Sequence, residues 1–126
     1  MKRNYLILLL MTVMTILVML SLLWHKGPLP SREEVNETLK ELAISLHQGQ
    51  PLQEGIRSAI NRATNPRLKK AWENVLKLVS QGYSLSRAMS THRDVFPTDL
   101  ISAILKGELK GNVDAALIQY TAQFER

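Results

Sequence analysis

The sequence has no cysteine, only three histidines, and aromatic residues make up just 6% of its 126 positions. Without a thiol there is no cysteine nucleophile, and disulfides give no information on the compartment. The histidines are His25, His47 and His92, and no two of them fall on one helical face, so we interpret them as isolated surface residues and expect no transition-metal site. A phosphate-binding glycine loop and a His-Glu-x-x-His motif are also missing. We therefore expect no enzymatic activity, no cofactor and no metal.

The charge is not concentrated in one sign either. The net charge is +5, from 16 basic and 11 acidic residues, and the two signs are mixed along most of the chain. That balance argues against a nucleic-acid-binding domain. One local basic cluster consists of Arg62, Arg67, Lys69 and Lys70, without interleaved aromatics. A solvated helix face accounts for it, and contact with anionic lipid or an acidic partner is the alternative.

The longest apolar run covers residues 5–24 and contains no charged residue. Twenty residues is about the length that a helix needs to cross a bilayer core, so we interpret residues 1–26 as an N-terminal transmembrane anchor. A cleaved signal peptide is the alternative, because Lys2 and Arg3 make a basic start. Its apolar region is usually about 7 to 15 residues long, however, and no small-x-small cleavage site follows Trp24. Residues 27–31, with two prolines, are interpreted as a short stiff linker, and Trp24 suits the membrane interface.

Residues 32–126 divide into six helical segments, with no strand-like alternation between them. The expected starts are Ser31, Pro51, Asn65, Ser84, Phe96-Pro97 and Asn112. Ser31 with Glu34 makes a capping box, Asn65, Ser84 and Asn112 should act as caps, and Pro51 suits a first helical turn. Glycines that can adopt the left-handed conformation should end three of the segments, at Gly49, Gly82 and Gly111. Short links favour antiparallel neighbours, so we predict an all-α fold, a six-helix antiparallel bundle preceded by one transmembrane helix. The larger side chains are assigned to packing rather than to a cofactor pocket: Trp72, Met89, Tyr120 and Phe124.

An acidic residue continues the apolar face of the fifth segment. The apolar row consists of Leu100, Ile101, Ile104 and Leu105, and Glu108 follows at helical spacing. Since no base, nucleophile or metal cluster accompanies Glu108, we interpret it as a structural acid. We expect it to be partly buried and to accept hydrogen bonds from the free amides at the start of the sixth segment, with Gly107 and Gly111 allowing close backbone approach. A solvated helix end beside Lys110 is the alternative.

Short motifs follow one another in a fixed order through the predicted bundle. They are Leu42-Ala43, Gly49-x-Pro51-Leu52, Asn65-Pro66-x-Leu68, Gly82-x-Ser84-Leu85-Ser86-x-Ala88-Met89, Val95-Phe96-Pro97 and Gly107-Glu108-x-x-Gly111-Asn112-x-Asp114-x-x-Leu117. Over residues 39–126 this series resembles the F domain of the inner-membrane platform proteins of type II secretion and type IV pilus systems. The resemblance implies a six-helix domain without enzymatic activity in the bacterial inner membrane. Such proteins are thought to connect a cytoplasmic assembly ATPase to the growing pseudopilus or pilus, alongside other membrane components.

The sequence departs from that family in domain number and at one turn residue. Members carry two F domains and three transmembrane helices, whereas this sequence shows one domain after one span. A single F domain cannot form an internal pair, so we expect a homodimer or a separate partner chain. Lys110 stands where a small serine is usual, which challenges close packing at that turn. The charges flanking the span are nearly balanced, a basic N-terminal anchor often takes the reverse orientation, and we follow the family in expecting a cytoplasmic domain.

The sequence therefore leads to one favoured function and two alternatives. The favoured function is a non-enzymatic platform that links the assembly ATPase to pilin or pseudopilin assembly, with the basic cluster as its partner surface. A membrane-anchored helical adaptor or regulator is the first alternative, and it would show a concave cavity with convergent polar groups. The second alternative is a truncated remnant of a two-domain platform protein.

Overall fold

The computed structural model describes residues 2–125 apart from His25 and Lys26, and within them it shows helices and no strand. The elements are α1 (Lys2–Trp24), α2 (Arg32–His47), α3 (Leu52–Arg62), α4 (Pro66–Ser80), α5 (Leu85–Met89), a 3₁₀ helix (Ser90–His92), α6 (Thr98–Lys110) and α7 (Val113–Ala122). The predicted all-α class and the six bundle helices are confirmed, while the 3₁₀ helix was not predicted. The interfacial role expected for the Trp24 side chain, and the surface position expected for His25, lie outside what is described.

Helix α1 is long and apolar enough to cross a membrane, over Arg3–Leu22. Its described side chains are exposed, because no bundle helix covers them. Two threonine hydroxyls inside the run donate to carbonyls of their own helix: Thr15 Oγ1 to Met11 at 2.7 Å, and Thr12 Oγ1 to Leu9 at 2.8 Å. These bonds satisfy hydroxyls that hydrocarbon could not hydrogen-bond. By length and composition α1 is a candidate membrane-spanning helix.

Three helices of the bundle end in the same kind of turn, as predicted. Gly49, Gly82 and Gly111 have φ values of +83°, +100° and +72°. In each turn the amide after the glycine donates to a carbonyl five residues earlier, at 3.1, 3.1 and 2.8 Å respectively, which is the long bond of a Schellman motif. The next helix begins within a few residues, so α2 and α3, α4 and α5, and α6 and α7 are antiparallel pairs. We call the end of the bundle that carries these three turns the glycine end.

The helix starts follow the capping predictions with two corrections. The capping box is confirmed: the Glu34 amide donates to Ser31 Oγ at 3.1 Å, and the Ser31 amide donates to Glu34 Oε2 at 2.9 Å. Pro51 lies one residue before α3 rather than in its first turn. Asn112 occupies the cap position of α7, but its side chain makes no capping bond. The preceding turn already fixes its backbone at ψ 54°, far from the extended conformation that a capping residue needs.

The six bundle helices close into a ring in which each helix packs against the next and α7 packs back against α2. Trp72 and Phe96 are fully buried at its centre, with ring centroids 5.0 Å apart in an edge-to-face arrangement. Trp72 Nε1 donates to Thr38 Oγ1 at 2.9 Å, and that hydroxyl donates to the carbonyl of Val35 at 2.6 Å. The indole therefore has its polar group satisfied inside the core. The packing role predicted for Trp72 is confirmed.

The other packing assignments hold except at one position. Met89 and Tyr120 are buried, and Phe124 packs partly buried against the core, with its ring 5.3 Å from that of Tyr120. Leu105, which the helical spacing placed on the apolar row, is 47% exposed. The bundle covers a narrower stripe of α6 than the helical spacing predicted, so Leu105 lies on the outer flank of that helix.

Candidate functional site

Glu108 is partly buried and holds the start of α5. Its Oε1 accepts a hydrogen bond from the Ser86 amide at 2.7 Å, and its Oε2 accepts one from Ser86 Oγ at 2.9 Å. The partial burial of Glu108 is as expected, but the expected donors at the start of α7 are wrong, and its structural role stays a prediction. Neighbouring residues on a helix point about 100° apart, and Gly107 faces α7, so Glu108 is turned towards α5 instead.

Helix α5 has only five residues, and side chains accept hydrogen bonds from the amides of its second and third residues. Ser84 Oγ accepts from the Arg87 amide at 3.3 Å, and Glu108 takes the amide of Ser86. Such a short helix gains little from its own hydrogen bonds, so bonds from outside matter more to it than to a long helix. The Glu108 carboxylate thus joins the end of α6 to the start of α5.

The two glycines of this turn have different roles. A Cβ on Gly107 would lie 2.8 Å from the Cβ of Ala116 and 3.1 Å from the Cα of Val113, so close approach of α6 and α7 requires a glycine there. A Cβ on Gly111 would meet no heavy atom within 4 Å. That position needs glycine for its positive φ, not for space. Lys110 was expected to hinder close packing at this turn. It is exposed, and the close packing occurs at Gly107 instead.

The remaining motif residues of the turn and of the Phe-Pro step lie in the core or at the starts of helices. Phe96 lies in the core, and Pro97 immediately precedes α6. Asp114 lies in the first turn of α7, where a negative charge suits the free amides, and its Oδ2 is 3.6 Å from Nδ1 of His47. His92, predicted as an isolated surface histidine, is half-buried, and its Nε2 is 2.7 Å from Nδ2 of Asn74.

A shallow apolar groove of about 400 Å³ opens at the glycine end. Its lining comes from all three turns: Leu46, Leu52, Ser84, Leu85, Glu108 and Val113. The carboxylate of Glu108 is engaged by Ser86, so the groove offers little chemistry to a polar ligand. Among the described residues, no three His, Asp or Glu side chains gather in a way that could hold a metal ion.

The predicted partner surface is partly neutralised by carboxylates from elsewhere in the chain. The Arg62 guanidinium donates to Glu37 Oε2 at 3.0 Å and lowers the pKa of that carboxyl. Arg67 is paired with Asp94, whose pKa it lowers in the same way. Lys69 and Lys70 are exposed and form no ion pair in the described part of the chain. The assignment of these four residues as a partner surface stays a prediction.

A second polar arrangement, on α6 and α7, was missed by the sequence reasoning. The Tyr120 hydroxyl donates to the Asp99 carboxylate at 3.2 Å, and Asp99 Oδ1 also accepts from the Leu100 amide at 3.0 Å. Burial, together with the negative charge of Asp99, raises the pKa of Tyr120 to about 12. The i, i+3, i+4, i+7 spacing of Asp99, Ser102, Ala103 and Lys106 was the available signal for a helix face at this place.

The described chain is thus an all-α bundle that follows a candidate membrane-spanning helix, with the Glu108 carboxylate joining α6 to α5 near a glycine turn. The family described as type II secretion system (T2SS), protein F, matches residues 38–126. The chain is also 30% identical, over 78 residues, to the type II secretion system protein F of Vibrio cholerae. These residues are 62% of this chain and 19% of the relative, so the match spans about a fifth of the relative's length. The chain belongs to the type II secretion system protein F family, as the ordered motifs predicted.

Proposed function

We propose that this chain is a non-enzymatic platform component of a type II secretion machine in the bacterial inner membrane. Residues 1–26 would be its single-pass anchor, residues 27–31 the linker and residues 32–126 the F domain. The observation that carries the proposal is a bundle of this family joined by a short linker to a candidate membrane-spanning helix. The family description favours type II secretion over the related type IV pilus systems.

The linker is bound to the bundle through one buried side chain. Asn65, which is buried, accepts hydrogen bonds from the amides of Arg67 and Leu68 through Oδ1. Its Nδ2 donates to the linker carbonyl of Pro28 at 3.2 Å. One side chain therefore caps α4 and binds the linker. The glycine end lies at the other end of α2, about 24 Å away for a 16-residue helix.

The proposed partners are the assembly ATPase, other inner-membrane platform proteins and pilin or pseudopilin, together with a second copy of this chain. The relevant test is capture of the ATPase from native membranes by the full chain with its anchor intact. Capture supports the platform role, and repeated failure under conditions that keep the machine assembled would contradict it.

The basic cluster is the proposed contact for the ATPase. We expect Lys69→Glu and Lys70→Glu each to reduce capture severalfold, because an exposed cation that makes a cross-partner pair is replaced by a repulsive charge. Lys77→Glu is the matched control, since Lys77 is exposed on the same helix outside the cluster. Equal capture by all three variants would remove the cluster from the proposal.

The bundle is proposed to face the cytoplasm. A fusion of alkaline phosphatase after Arg126 should be inactive in cells, whereas a reporter that fluoresces only in the cytoplasm should be bright. The reverse result would place the bundle on the other side of the membrane and rule out a direct contact with a cytoplasmic ATPase.

A further inference from the structure

We propose that α6 pairs antiparallel with α6 of a second copy, through a face formed by Asp99, Ser102, Ala103 and Lys106. The inference deepens the self-association included in the proposed function by naming the surface and the geometry. It starts from an open groove of about 420 Å³ that runs along α6 and α7 on the outside of the ring, a groove that includes all four of these residues.

Small residues line the groove where α6 and α7 meet, so its walls are low. The contact of Gly107 with Ala116 brings the two helix backbones close together. Ala103 lies one turn before Gly107 and is also part of the groove. A ridge of side chains on another helix can therefore approach the α6 backbone closely, as packing of ridges into grooves requires.

The charges on this face select a second copy as the occupant. Asp99 and Lys106 are seven residues apart on one side of α6, a rise of about 10.5 Å. A two-fold axis passing between Ser102 and Ala103 would bring each Asp99 opposite Lys106 of the other copy, with the two small residues at the centre. A parallel arrangement would place like charges together. The face is thus complementary to itself in the antiparallel sense, as an isologous interface requires.

Both charged groups are exposed and available for such a pairing. Asp99 is exposed, yet its carboxylate is oriented by the Tyr120 hydroxyl at 3.2 Å and by the Leu100 amide at 3.0 Å. Lys106 is exposed and makes no ion pair among the described residues.

Cysteine cross-linking in native membranes tests the geometry, because the chain has no cysteine of its own. Ser102→Cys in the full chain should give a disulfide dimer under mild oxidation, since residues beside the two-fold axis come within disulfide range. Ser80→Cys, exposed at the end of α4, is the matched control. Cross-linking of Ser102→Cys no stronger than that of Ser80→Cys would overturn the proposal. So would an adduct whose mass shows a different protein.

Charge reversal in the Ser102→Cys background tests the pairing itself. Lys106→Glu should lower the dimer yield about tenfold, because two attractive contacts become repulsive. Adding Asp99→Asn should recover much of the yield, since it removes the repulsion and keeps an oxygen for the Tyr120 hydroxyl. Lys77→Glu should leave the yield unchanged. A yield that does not respond to Lys106→Glu, or does not recover with Asp99→Asn, would contradict the proposal, and ATPase capture by the same variants reports separately on the platform role.

Discussion

Glu108 and Gly107 are neighbours in sequence whose side-chain directions serve different helices. Gly107 lets α7 approach, and Glu108 binds the amide and the hydroxyl of Ser86 on α5. Two adjacent positions of α6 thus set its distance to both helices that flank it. The Gly-Glu pair of the motif can be understood on this basis without any reacting substrate.

We expect Glu108→Ala to reduce the free energy of unfolding of the bundle by about 1 to 3 kcal/mol, the usual cost of losing two such hydrogen bonds. The reason is that the Ser86 amide and hydroxyl lose their acceptors. Urea unfolding of the full chain in detergent, followed by tryptophan fluorescence, measures the change, because Trp72 lies in the bundle core. Glu73→Ala, an exposed carboxylate on α4, is the control. A urea midpoint that does not move with Glu108→Ala would refute the structural role.

Gly107→Ala should destabilise the bundle by roughly 1 to 3 kcal/mol, even though alanine favours helix, because its Cβ would overlap Ala116 and crowd the Val113 backbone. Lys110→Ser, which introduces the family's usual small residue, should change stability by less than about 0.5 kcal/mol, since Lys110 is exposed. The same urea experiment compares the two. A larger effect at Lys110 than at Gly107 would mean that the close contact lies elsewhere in the turn.

At the scale of helices, the start of α4 carries two functions in one side chain. Asn65→Ala removes the cap of α4 and the bond to the Pro28 carbonyl. We expect a loss of about 1 to 2 kcal/mol, typical of a capping residue, and faster proteolysis of the linker. Asn61→Ala, an exposed asparagine inside α3, should do neither. Unchanged linker proteolysis would show that the bond to Pro28 does not hold the linker in place.

Helix boundaries could be predicted because their causes are local. Ser31 with Glu34, Asn65 with Pro66, and the glycines after α2, α4 and α6 act within a few residues of each boundary, so the sequence contains the whole signal. Asn112 was misjudged because the turn before it had already set its backbone conformation. The partner of Glu108 was misjudged because Ser86 is 22 residues away, and only the ring of helices brings them together.

Contacts between residues far apart in the sequence also explain why two cations of the predicted basic cluster are paired with carboxylates in the structure. Arg62 and Glu37 are 25 residues apart, and Arg67 and Asp94 are 27 apart, so the sequence showed a basic cluster where the structure shows two ion pairs. The family, by contrast, could be recognised before the structure, since the order of its motifs is itself a property of the sequence. Which helices adjoin one another is a property of the whole molecule.

For the molecule as a whole, the buried hydroxyl of Tyr120 makes stability depend on alkaline pH. Its pKa is raised from 10.0 to about 12 by burial and by the charge of Asp99. The folded state therefore keeps the proton that the unfolded chain loses near pH 10, and this contribution, fully present below pH 10, is lost as the pH rises from 10 to 12. Urea midpoints between pH 9 and 12 should fall less steeply for Tyr120→Phe than for the unchanged chain. Parallel slopes for the two would contradict the assignment.

Because the ring of helices is closed, the first and last residues of the bundle lie close together. The Arg32 guanidinium, at the start of α2, lies 4.8 Å from the centre of the Phe124 ring, and Lys40 binds Glu125 at 2.6 Å. The chain therefore enters and leaves the bundle side by side, next to the linker. A bundle whose first and last residues lie side by side can be inserted into a longer polypeptide without moving the flanking segments apart. The flanking segments would meet at the linker end of the bundle, and the glycine end would lie at its opposite end.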